Sequence, residues 1–155
     1  MITILTEPSF ILFYHLKKEV KNFIKKKLLN REIPWYAGHY AVVRSLIDGL
    51  EKINQEYNYN PTSSSKIASH VHVLAGVNTL KAAIRLKQKG KIKRLTAGPN
   101  IVISSADENG IIASKEIDRY FVNSDWTISA YLLDNSKLTN RIDNGPQGLM
   151  KKYGI

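Results

Sequence analysis

The chain of 155 residues contains no cysteine. That single absence excludes a disulfide framework, thiolate zinc sites, iron–sulfur clusters and a cysteine nucleophile, and it fits a reducing compartment. Long apolar runs are missing as well. No stretch approaches the ~18 consecutive apolar residues that a membrane-spanning helix needs, and the first residues lack the basic region and small-residue cleavage site of a signal peptide. The expectation is a cytoplasmic protein, neither transmembrane nor secreted by that route. No G-x-G-x-x-G, Walker loop, G-x-S-x-G elbow or H-E-x-x-H occurs, so the common dinucleotide, P-loop, hydrolase and zinc-protease signatures do not apply. Acidic residues are scarce, and none lies between Glu56 and Asp107.

Positive charge is what the chain has in excess. Lys and Arg number 23 against 13 Asp and Glu, a net of +10, with a pI near 9.7, which favours anionic partners. Residues 17 to 31 carry seven cations and only Glu19 as an acid; residues 81 to 94 carry seven and no acid. Such runs are either solvated helix faces or surfaces that meet phosphates. The length suits one domain. With 43% hydrophobic residues, a chain of this size buries roughly 70% of its unfolded surface without covalent staples.

Hydrophobic periodicity divides the chain. Ile2 to Leu5 is β-branched and apolar, bounded by Glu7-Pro8, and reads as a strand. Between Phe10 and Leu29, Leu12, Leu16, Val20, Phe23, Ile24 and Leu28 recur at intervals of three and four, which predicts a basic amphipathic helix. Such a helix either packs on a core with its lysines outward or lies on an anionic bilayer surface. A loop with Pro34 and Gly38 follows, then a helix over 40–53 and a short edge strand, Tyr57 to Asn60, stopped by Pro61. Thr62 to Ser65 reads as a polar loop. His70 to Ala75 is a strand closing on Gly76, Thr79 to Lys89 a helix, and Ile92 to Ala97 a strand ending at Gly98-Pro99-Asn100. Glu108 to Ile117 carries no clear pattern. Tyr120 to Val122 reads as a strand, Asp125 to Leu133 as a helix, and a last short strand precedes Gly145-Pro146. Strands alternating with helices predict a single α/β domain, a Rossmann-like open parallel sheet with helices on both faces. Ligands of such sheets sit beyond the carboxyl ends of the strands. The loops to watch are therefore Glu7 to Phe10, Gly76 to Asn78, Gly98 to Asn100 and Asn123 to Trp126.

Gly76-Val77-Asn78 joins a strand to a helix whose first-turn amides can seat a phosphate or carboxylate, although Asn78 also suits a simple helix cap. Gly98 and Pro99 give a turn where backbone can approach a ligand. Ser124 caps the predicted helix that follows it. His70 and His72 share a strand face, a spacing that can bind metal. With no third ligand nearby, hydrogen-bonded core histidines are expected and no metal. His39, beside Trp35, Tyr36 and Tyr40, is the better candidate for a hydrogen-bond donor or base.

Three stretches taken in order carry a family resemblance: HVHVLAGVNTLKAAIRLKQKGKIKRLTAGPNIVI from His70, IDRYFVNSDWTISAYL from Ile117 and RIDNGPQG from Arg141. They resemble the N-terminal half of the GT-B fold glycosyltransferases of the group 1, or family 4-like, kind. That family has a strand with a short glycine loop, a helix, a strand with a G-P-N type turn, and a strand reading roughly val-pro-ser-x-trp at a helix start. Asn123 stands here in the proline's place. The resemblance covers roughly residues 40 to 148. It implies that residues 1–155 are a Rossmann-like acceptor-binding domain, with the basic helix 10–29 as an insertion and the donor-binding C-terminal domain absent from this chain.

The implied activity is transfer of a sugar from a nucleotide-diphosphate sugar, a co-substrate rather than a tightly bound cofactor, to a glycan or lipid-linked acceptor. A donor-binding domain or separate subunit would be required. The resemblance suggests His39 as catalytic, with Gly38 beside it at the cleft, and Gly76, Asn78, Gly98, Asn100 and Ser124 as substrate contacts. Lys17, Lys21 and Lys25 would then hold the enzyme at the anionic inner membrane surface. The competing expectation is a non-enzymatic nucleic-acid-binding domain, suggested by the pI, the acid-free stretch and eight tyrosines able to stack on bases. No helix-turn-helix, RNP or KH signature supports it.

Overall fold

The computed structural model describes residues 1–28, 39–100, 111, 114–122 and 142–144. Six strands, β1 (Ile2–Leu5), β2 (Tyr57–Tyr59), β3 (His70–Ala75), β4 (Arg94–Asn100), β5 (Arg119–Val122) and β6 (Ile142–Asn144), make one sheet in the order β2-β1-β3-β4-β5-β6. Every neighbouring pair is parallel. This is the expected α/β, Rossmann-like class. β1 is a β-branched and apolar run and β3 buries every residue from Val71 to Ala75, because strands of a parallel sheet are covered on both faces.

The register sorts side chains onto those faces. Thr3 pairs with Val71 and Leu5 with Val73; Leu95 and Ala97 lie beside Val71 and Val73 in turn. This face is covered by α3 (Val77–Gln88), which buries Leu80, Ala83 and Ile84 at the i, i+3, i+4 spacing of one helical stripe against Leu5, Val71, Val73, Leu95, Ala97, Tyr120 and Val122. Leu80 is fully buried, so truncating it to Ala would cost about 2–5 kcal/mol. The opposite face carries α2 (His39–Lys52), where Val43, with Leu46, Ile47 and Leu50 around it, packs on Ile4, Leu74 and Ala75.

Several boundaries differ from expectation, two of them at the carboxyl edge of the sheet. Gly98-Pro99-Asn100 does not leave the sheet after Ala97; it continues β4 to Asn100. Val73 pairs with Ala97 but Ala75 with Asn100, so β4 spends three steps where β3 spends two. That extra residue is a β-bulge, the place where a strand tolerates a proline with no N–H to donate. The helix expected from Thr79 begins at Val77. The cap position therefore belongs to Gly76, which makes no side-chain capping bond, and Asn78 falls inside the first turn.

The basic helix forms as α1 (Leu12–Leu28), and of the two orientations open to it the core-packed one is not adopted. Among its described side chains Tyr14, Lys18 and Asn22, one per turn, are the half-buried ones. Leu12, Phe13, Leu16 and Val20 are 71%, 76%, 55% and 59% exposed. None of the α1 side chains described belongs to either buried core cluster. Leaving a large apolar side chain in water forgoes roughly 1.5–3 kcal/mol of burial energy, and nothing in the described fold recovers it.

Candidate functional site

Because the six described strands run one way, their carboxyl ends line one edge of the sheet, and the sheet reverses its direction of winding between β1 and β3. The segments leaving those two strands meet at this edge, the switch point at which open α/β sheets bind their ligands. Thr6 to Ile11 forms one wall and Gly76 to Thr79 the other.

The first wall is stitched to the segment after β2. The Asn60 side-chain Oδ1 accepts the Thr6 N–H at 2.9 Å and the Glu7 N–H at 3.4 Å, while its Nδ2 donates to Thr6 Oγ1 at 2.7 Å. Tyr59 Oη lies 2.9 Å from the same Thr6 Oγ1. Ser9, buried, donates from Oγ to the Pro61 carbonyl at 3.1 Å, and Ile11 N–H closes a turn onto Pro8 O at 3.0 Å. Asn60 adopts φ +43°, a left-handed conformation that asparagine enters more readily than most residues. The Glu7 carboxylate is paired with the Lys18 ammonium of α1, which ties this wall to that helix.

The second wall begins at Gly76, with φ +87°. A Cβ there would stand 2.9 Å from Thr79 Oγ1 and 3.4 Å from the Thr6 carbonyl oxygen. Only a glycine lets the two walls approach this closely in that conformation. The amides of the first turn of α3 follow directly, and Asn78 is exposed there.

Gly76 and Asn78 thus meet at the switch point, and Asn100 reaches the same edge through its pairing with Ala75. His39 opens α2, one turn before Val43, which packs with Leu74 and Ala75 at the carboxyl end of β3; its backbone therefore lies toward this edge. Gly98 is close by but built for a different contact. At φ +107°, a Cβ on it would fall 1.8 Å from the Phe121 carbonyl oxygen, so its open side is filled by β5. Gly38 and Ser124 lie outside the described residues. Lys17 and Lys21 are exposed on α1, and Lys25 belongs to the same helix, away from the switch-point loops in sequence.

The two strand histidines are not part of this site. His72 is buried with Nδ1 2.9 Å from Thr96 Oγ1, and its ring is 6.0 Å from that of Phe121. Burial pushes its pKa down to about 4, against a backbone hydrogen bond at Gly98 that favours the proton. It is a neutral, hydrogen-bonded core histidine, as expected. His70 opens β3 at the far end of the sheet; burial and then Arg94 lower its pKa, and its Nε2 finds no hydrogen-bond partner among the described residues. At that end Asp118 accepts from Lys87 Nζ at 2.6 Å and from the Leu95 N–H at 2.7 Å. Burial would raise its pKa, but those bonds outweigh it and hold the carboxyl below its ordinary value. Among the described residues no group of three or more His, Asp or Glu is arranged to hold a metal ion, and no helix is long and apolar enough to cross a membrane.

Thr6, Tyr59 and Asn60 escaped the sequence reading. Asn60-Pro61 signals a turn, yet nothing local indicates that the asparagine grips a residue 54 positions earlier. No protein-family model matches the chain, nor does any curated protein or solved structure.

Proposed function

We propose that the chain is the acceptor-binding half of a nucleotide-sugar-dependent glycosyltransferase, acting on a glycan or lipid-linked acceptor with a donor-binding domain or subunit. The observation that supports this most is the β1/β3 switch point, where Gly76 packs on a Thr6 held in place by Asn60 and Asn78 is exposed in the first turn of α3. A preorganised polar edge at strand carboxyl ends suits a hydroxylated acceptor, whose orientation contributes much of the rate in group transfer. In this reading the His39 imidazole receives the proton of the acceptor hydroxyl. Asn78, Asn100 and Ser124 orient the acceptor, and Gly38 lets backbone approach the reacting centre. Negative charge developing on the departing nucleotide diphosphate is stabilised by backbone amides and cations.

The test is transfer of radiolabel from a panel of UDP- and GDP-sugars to the lipid and glycan fractions of the source cell, using the protein in its native assembly. Transfer that falls at least tenfold in both His39→Ala and Asn78→Ala supports the reading. No transfer from any donor, together with RNA or DNA retention that drops steeply with salt, replaces it by the nucleic-acid-binding alternative.

A further inference from the structure

Helix α1 has the reverse orientation to an ordinary amphipathic surface helix. Such a helix turns its apolar stripe inward and its charges to water. Here the polar line Tyr14, Lys18 and Asn22 is the half-buried one, and Lys18 is held there by its ion pair with Glu7. The apolar line Leu12, Leu16 and Val20, widened by Phe13, is exposed. Lys17 and Lys21, both exposed, occupy the same turns. The sequence of α1 continues with Lys25, Lys26 and Lys27, and Glu19 is its single acid.

We infer that α1 is an interfacial helix that lays this stripe into the surface of an anionic bilayer. Three observations select that occupant. The stripe runs over about two and a half turns and is bordered on one side by the exposed Lys17 and Lys21, so apolar insertion and attraction to anionic headgroups act together, the combination that binds helices in the plane of an interface. At 17 residues the helix is about 26 Å long, and it is too polar to cross a bilayer, so it lies on the surface. Net charge of +10 adds long-range attraction toward an anionic surface and opposes close pairing of two copies of the chain.

The ion pair gives this docking a structural consequence. Glu7 belongs to the first wall of the switch point and Lys18 to α1, so a bilayer holding α1 also sets the distance of the switch point from the headgroups. The inference stands on α1 alone and does not depend on the transferase reading.

Co-sedimentation of the full chain with vesicles of phosphatidylcholine, with and without 30% phosphatidylglycerol, tests it without any sugar nucleotide present. The expected result is binding to the anionic vesicles that weakens at least tenfold in Leu16→Ser/Val20→Ser and, separately, in Lys17→Ala/Lys21→Ala/Lys25→Ala. Because the substituted apolar side chains are exposed, far-UV circular dichroism and the melting temperature should stay at the wild-type values, which separates lost docking from lost folding. Unchanged binding in either variant at low salt overturns the inference. So does a wild-type chain that ignores anionic vesicles while sedimenting in solution as a dimer that Leu16→Ser/Val20→Ser converts to monomer, since the stripe would then cover a second copy.

Discussion

Asn60 grips Thr6 with both ends of its side-chain amide: Oδ1 accepts the Thr6 N–H at 2.9 Å and Nδ2 donates to Thr6 Oγ1 at 2.7 Å. The pair joins the ends of two neighbouring parallel strands, so that the loop leaving β1 is placed by a residue that follows β2. An asparagine suits the position twice over, because it supplies both an acceptor and a donor and tolerates the left-handed backbone found there.

Asn60→Ala removes both bonds and puts a Cβ-bearing side chain with no local hydrogen bond at φ +43°. The expected loss is about 2–3 kcal/mol in urea unfolding, of which Asn60→Gly should recover roughly 1 kcal/mol by relieving the backbone alone. Amide hydrogen exchange at Thr6 and Glu7 should accelerate in both variants. Wild-type protection at those two amides in Asn60→Ala would show that the clamp does not hold the loop.

Gly98 and Gly49 make a matched pair of opposite sign. At Gly98 a methyl group would meet the Phe121 carbonyl oxygen at 1.8 Å with φ at +107°, so Gly98→Ala must push β5 away from β4 and should cost more than about 3 kcal/mol. Gly49 lies within α2, exposed, with nothing within 4 Å of the added atom. Gly49→Ala should stabilise by roughly 0.5–1 kcal/mol, the helix penalty of glycine. Thermal melts of the two variants check both signs at once.

Stability should fall on mild acidification because of His72. Its imidazole has a pKa of about 4 in the folded protein against 6.5 ordinarily, so between those values the unfolded chain binds the additional proton. The contribution is complete above pH 6.5 and is lost as the pH falls toward 4, about 3 kcal/mol in all. His70, also lowered, adds in the same direction. His72→Gln retains a polar partner for Thr96 but does not titrate, and its stability should decline less steeply over this window in urea titrations at successive pH values. Parallel wild-type and variant curves would place the acid sensitivity elsewhere.

The amino-acid sequence by itself determined the α/β class, because the period of its apolar residues is a local property. The β-branched run Ile2–Leu5, the valines of His70–Ala75 and the spacing of Leu80, Ala83 and Ile84 reveal strands and a helix without reference to neighbours. It also marked Gly76 and Asn78 as residues that leave a strand and enter a helix. The tertiary structure alone decided which strands are adjacent, and with that the position of the switch point between β1 and β3. It turned Gly98 from a presumed loop residue into the point where β5 crowds β4, a contact between residues 23 positions apart that no local pattern encodes. It also set the direction of α1. Periodicity shows that a helix has an apolar stripe but not what the stripe meets; here the polar line, with Lys18 paired to Glu7, lies against the protein and the apolar one outside.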